Sequence, residues 1–244
     1  MDKWSKLKEF TSARVGLGRV GFSLPTQKVL EFQRAHSAAR NAVWCVWDYQ
    51  TLINDLIEQG ETPIQLSTEV HDRETYLRFP NKGRLLSSDS CEALRESSTD
   101  IAFIVSDGLS ALAVTKHFLP LWNLLKVSLS SVFPELTYRL FLVPYSRVAI
   151  ADPIGEQVKA KLSVIFIGER PGLNSADSLG IYMTYSPMSG NSDAQRNCIS
   201  NVREPLGMSY RHASAKLEYL MRESLRLQLS GVNLKDEMDL KLIK

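Results

Sequence analysis

The chain has 244 residues, of which 44% are hydrophobic and 23% charged. That suits one sizeable core, or a domain of roughly 150 residues with a smaller companion, and excludes a disordered polymer. A net charge of +2 is too slight to point to nucleic acid or a membrane surface. Three scattered cysteines without a C-x-x-C pair, no secretory leader and no apolar run of roughly 18 to 20 residues give the expectation of a soluble protein in a reducing compartment.

From the N-terminus, residues 1 to about 60 read as helical. The first 40 residues carry eight Lys and Arg against three Asp and Glu, an excess suited to an acidic protein neighbour or to solvent. Ser23-Leu-Pro-Thr26 is a helix start, and Val29, Leu30, Phe32, Ala35, Ala38, Ala39, Ala42 and Val43 then keep one apolar stripe, which must bury against something. Leu52, Ile53, Leu56 and Ile57 continue a helical period up to Gly60. Residues 61 to about 98 mix turn signals with a short strand expected at 76–79, and Ser87-Ser-Asp-Ser90 reads as a helix cap or linker.

From Thr99 strand and helix patterns alternate. Strands are expected at 101–105, 138–143, 164–167 and 180–185, and helices at 109–127 and 213–229. The implied class is α/β: a Rossmann-like, mostly parallel sheet with helices on both faces, preceded by a small helical N-terminal domain, with the division near residues 1–90 and 91–244. The topology of 159–186 stays open. The tail from Lys235 reads as frayed.

Two strand ends carry polar turns where α/β sheets bind ligands. Asp100-Ile-Ala-Phe-Ile-Val105 closes on Ser106-Asp107-Gly108 before a helix, whose first amides could take an anion or a polar ligand edge, or be capped instead by Ser106 or Asp107, the favoured role. The run 162–167 closes on Gly168-Glu-Arg-Pro-Gly172, which places an acid and a base at a buried strand's carboxyl end. No G-x-G-x-x-G follows a strand and no Walker loop occurs, so the alternative of a stand-alone Rossmann-like nucleotide-binding enzyme lacks its fingerprint. His36, His71, His117 and His212 show no metal-ligand spacing, and no G-x-S-x-G elbow is present. The polar turns therefore suit binding better than bond chemistry.

Five ordered segments, Val105-Ser-Asp-Gly-Leu-Ser-Ala111, Tyr145-Ser-Arg-Val-Ala-Ile-Ala-Asp-Pro-Ile-Gly155, Ile167-Gly-Glu-Arg-Pro-Gly-Leu173, Asn197-Cys-Ile-Ser-Asn201 and Ser230-Gly-Val-Asn233, together resemble the small (light) subunit of ethanolamine ammonia-lyase. Ala13-Arg-Val-Gly-Leu-Gly-Arg-Val-Gly21, Leu24-Pro-Thr26 and Ala35-His36 resemble the start of the same family, so the likeness covers nearly the whole chain. The resemblance implies adenosylcobalamin as cofactor, a catalytic large subunit as partner, no nucleic acid and no membrane. It implies a cytoplasmic setting, with a bacterial microcompartment as the family's alternative.

Carried over residue by residue, it implies cofactor contacts at Val148, Glu169 and Cys198, with Arg170, Arg196, Ser106 and Asp107 as second contacts and no catalytic or metal-binding residue. A corrin rimmed by neutral amides needs acceptors, donors and apolar area rather than a nucleophile. None of the four histidines sits in D-x-H-x-x-G, so the cofactor is expected to keep its own base on cobalt.

Overall fold

The computed structural model describes residues 4–11, 13–95 and 97–238. Of the C-terminal tail expected to fray, residues 239–244 lie outside them. The helices are α1 (Thr26–Trp44), α2 (Tyr49–Glu58), α3 (Arg73–Arg78), α4 (Ser88–Leu94), α5 (Ala111–Val132), α6 (Ala151–Gln157) and α7 (Tyr210–Leu227). The strands are β1 (Ile64–Gln65), β2 (Ile101–Ser106), β3 (Tyr138–Leu142), β4 (Leu162–Gly168), β5 (Leu179–Tyr185) and β6 (Asn197–Val202), forming one sheet in the order β1-β3-β2-β4-β5-β6.

The class is α/β, and in place of a mostly parallel sheet the structure has a mixed one. Strands β1, β3, β2 and β4 run parallel, while β5 is antiparallel to both β4 and β6. Connection length explains the reversal. A parallel return needs a crossover of about a dozen residues or more, usually a helix, and residues 169–178 between β4 and β5 contain none.

β2 and β4 are buried along their whole length, which is why both read as continuous apolar runs. Side chains alternate between faces. Phe103, Val105, Val164 and Phe166 join α5 and α7 in one core layer, while Ala102, Ile104, Ile165 and Ile167 pack on the other with residues of α4 and α6. The first layer centres on Trp122, whose ring meets Phe103 edge-on at 5.2 Å and stacks on Phe118 at 5.9 Å, contacts worth about 0.5–1.5 kcal/mol each beyond burial. Trp47, Leu52 and Leu56 belong to this same layer, and Leu66, Leu86 and Leu94 to the other, so the segment before residue 91 lends side chains to both faces.

Two local expectations are corrected. Residues 76–79, expected as a strand, fall in and just after α3, because Asp72 accepts the Thr75 N–H at 2.8 Å and starts a helical turn. Ser106 or Asp107 was expected to cap the helix after β2; Ser110 does so instead, accepting the Ala113 N–H. Ser87 caps α4. In α1 only Ala42 is buried. Leu30, Phe32 and Trp44 stay 58, 46 and 51% exposed, leaving the larger side chains of the apolar stripe largely uncovered by this chain.

Candidate functional site

Leaving their carboxyl ends, β2 and β4 send the chain in opposite directions, to β3 on one side and β5 on the other. At such a divergence an open sheet leaves a crevice. Here it is an open cavity of about 680 Å³, walled by Leu109, Val148, Glu169, Tyr182, Ser200 and Arg203 among others.

The floor is tightly closed. A Cβ on Gly168 would collide with the carbonyl oxygens of Ser110 and Asp107, and one on Gly108 with that of Gly168. Leu109 N–H donates to Gly168 O at 2.9 Å. The start of α5, read as a place for an anion, is thus occupied by β4's own backbone.

A buried ion pair holds the neighbouring wall. Arg73 reaches from α3 and donates through Nη1 to Asp107 Oδ2 at 3.0 Å and to Gly108 O at 2.7 Å, and through Nε to Val43 O at 2.6 Å. Asp107 Oδ1 accepts the Tyr145 N–H at 2.7 Å. Burial pushes the Asp107 carboxyl up to about 6, against the opposing pull of Arg73. The Tyr145 bond supports a non-glycine residue at φ +55°, a backbone state that needs such fixing. Tyr76 Oη then donates to Ser146 O at 3.1 Å, and Arg147 lays its guanidinium 4.1 Å from the Tyr76 ring centre while donating to Tyr76 O at 3.1 Å. These contacts carry Arg147 and Val148 to the cavity.

Glu169, the residue after β4, reaches past β5 to β6. Its Oε1 accepts the Ser200 hydroxyl at 2.5 Å and its Oε2 the Asn201 N–H at 3.1 Å, and its own N–H donates to Ser178 O at 3.0 Å. The carboxylate therefore positions Ser200 and Asn201 as well as lining the cavity itself.

Val148 and Glu169 share the cavity; Cys198 is absent from its lining and sits on β6 opposite Tyr182, which does line it. Burial, with the Glu169 charge adding to it, raises the Cys198 thiol above its ordinary value, although a contact with Tyr182 pulls the other way. Of the second contacts only Arg170 lines the cavity. Arg196 is buried elsewhere against Asp152 and Asp193, and Ser106 and Asp107 lie beneath the floor, hydrogen-bonded to each other at 3.4 Å. Sequence reading missed Arg73 and Tyr76, which sit in a polar stretch with no motif, and Arg203, whose link to Asp177 at 3.4 Å joins segments 26 residues apart. Ser200 and Asn201 stood inside a quoted segment without an assigned role.

Fold and site together define an α/β protein that presents a wide hydrogen-bonding cleft at its sheet's carboxyl edge. Residues 1–235 match the family described as ethanolamine ammonia-lyase light chain. The chain is 48% identical over 242 residues to the ethanolamine ammonia-lyase small subunit of Pseudomonas fluorescens, covering 97% of this chain and 88% of that one. It is 47% identical to the protein of the same name from Pseudomonas aeruginosa (strain UCBPP-PA14), covering 100% and 90%, and 46% identical to that of Pseudomonas putida, covering 98% and 89%. The chain belongs to the ethanolamine ammonia-lyase light-chain family.

Proposed function

We propose that the chain is the small subunit of an adenosylcobalamin-dependent ethanolamine ammonia-lyase, which converts ethanolamine to acetaldehyde and ammonia, and that it holds the cofactor at its interface with a catalytic large subunit. The observation that carries the binding role is the cleft where β2 and β4 diverge, with Val148 and Glu169 both in its lining.

The residues present suit such a group. A corrin's amide rim needs many donors and acceptors, and the walls offer Ser175, Ser178, Ser200 and Asn201 beside apolar Leu109, Val148, Ile167 and Leu206. The breaking cobalt–carbon bond supplies the radical chemistry when the cofactor is bound. Val148 offers apolar area, Glu169 accepts hydrogen bonds while fixing Ser200 and Asn201, and Cys198 lies beside the lining residue Tyr182 on the neighbouring strand. The opening of the cleft suits a second protein surface that closes it.

The same reading makes residues 1–90 the docking region. Phe22 and Val20 are 107 and 67% exposed and α1 keeps Leu30 and Phe32 of its apolar stripe in solvent, more uncovered apolar surface than a lone subunit tolerates well. In this reading the chain is a soluble, cytoplasmic protein, with the microcompartment kept as the family's alternative setting. Among the described residues no helix is long and apolar enough to cross a membrane.

Reconstitution tests the proposal. Express this chain alone, the large subunit alone, and both together, and assay ethanolamine deamination with adenosylcobalamin. Activity should require both, and removing residues 1–40 should weaken co-purification. Deamination by this chain alone would remove the reading.

A further inference from the structure

His117 lies on α5, away from the cleft lining, and is only 3% exposed. Its Nδ1 is 2.7 Å from the Tyr210 hydroxyl at the start of α7. Its Nε2 is buried with no hydrogen-bond partner among the described residues and stands 3.9 Å from Asp177 Oδ2. Asp177 in turn takes Lys116 Nζ at 2.8 Å and Arg203 Nη1 at 3.4 Å, and Glu204 Oε1 accepts the Tyr210 N–H at 2.9 Å. Four segments thus meet around one imidazole: α5, the connection between β4 and β5, the stretch after β6, and α7. A lone pair on Nε2 would face a carboxylate, so the neutral ring carries its hydrogen there and Nδ1 accepts from Tyr210.

An added proton goes to Nδ1, which then can no longer accept. The Tyr210 hydroxyl loses its acceptor, and a third cation arrives beside Asp177, whose charge Lys116 and Arg203 already balance. We propose that His117 is an acid-sensitive latch, which fastens α5 to Tyr210 and the Asp177 cluster while neutral and lets these segments part on taking up a proton. Burial, against the pull of Asp177, holds the imidazole below its ordinary 6.5. The opened form therefore binds the proton first, so the stabilisation is whole above pH 6.5 and drains as pH falls below it. Ser178, next to Asp177, lines the cleft and its carbonyl accepts the Glu169 N–H at 3.0 Å, so acid loosens the wall that Ser178 and Glu169 share. The latch rests on these contacts alone and stands whether or not a cofactor fills the cleft.

The test is amide hydrogen exchange on the full chain over about pH 5 to 8, corrected for the intrinsic pH dependence of exchange. One proton taken up per opening raises the opening equilibrium by up to about tenfold per pH unit. Protection across residues 169–178 and 209–215 should fall on that scale below pH 6.5, while that of β2 and β4 stays level. His117→Gln, neutral throughout and able to accept from Tyr210, should show no such fall. NMR titration of the wild-type imidazoles needs no variant: His117 should titrate below 6.5, in step with the loss of protection. An equal fall in His117→Gln, protection that ignores pH in the wild type, or a His117 that titrates at or above 6.5 would each overturn the latch.

Discussion

Arg73 Nη1 lies 3.0 Å from Asp107 Oδ2 with the two side chains only 9 and 1% exposed, so an ion pair taken almost wholly out of water ties α3 to the carboxyl end of β2. Removing one partner of such a pair strands the other charge. Arg73→Ala should destabilise the chain by about 3–5 kcal/mol, read as a shifted urea midpoint. Arg78→Ala, which breaks an exposed pair with Glu74 on the same helix, should cost at most about 1 kcal/mol. Similar losses for the two would show that the buried pair does not organise this edge.

Gly168 ends β4 where backbone carbonyls crowd its missing side chain. Gly168→Ala forces carbonyl oxygens, rather than a flexible side chain, to move, and the expected loss is about 1–3 kcal/mol or more. Thermal unfolding measures it; an unchanged Tm would contradict the close approach of β4 to the β2 turn.

Both Glu169 oxygens are engaged, so Glu169→Gln replaces one good acceptor by an NH₂ group facing a donor. Ser200 or Asn201 should then lose its place on the wall, with a rise of about 5- to 30-fold in the cobalamin concentration giving half-maximal activity. Turnover at saturating cofactor should stay near that of the wild type. A collapsed maximal rate at an unchanged half-saturation point would place Glu169 in the chemistry instead.

Asp100 joins the starts of β2 and β4, accepting from Lys161 at 2.9 Å and from the Thr137 N–H and hydroxyl at 2.9 and 2.8 Å. The Lys161 contact first, then those to Thr137, lower its carboxyl from the ordinary 3.8 to about 2. A carboxylate lowered in the folded state stabilises it above the unfolded value and loses that contribution as pH falls through the folded one. Between pH 3.8 and about 2 the wild type should therefore lose Tm more steeply than Asp100→Asn, which has no proton to take up there. Parallel Tm curves for the two proteins would contradict the shift.

Much of this fold was legible because burial writes itself into sequence. β2 and β4 are apolar on both faces, so Ile101 to Val105 and Leu162 to Ile167 could only be central strands, and the ends of those runs marked the cleft. β1 has two residues, too few to leave a pattern. β6 is a half-exposed edge strand with a polar sequence, which periodicity cannot separate from a loop. The reversal at β5 was readable in principle from a connection too short for a helix. Arg73 was not readable at all, since its role depends on Val43 and Asp107, 30 residues before it and 34 after.

Cobalamin retention by the assembled complex tests most directly whether this cleft is the cofactor's seat. Val148 lines the cavity and is only partly buried, so Val148→Trp fills the wall without rebuilding a core. Wild-type and Val148→Trp complexes with the large subunit should emerge from gel filtration with the same assembled mass, and only the wild type should carry cobalamin absorbance with it. Retention of cobalamin by the Val148→Trp complex as tight as that of the wild type would contradict binding in this cleft.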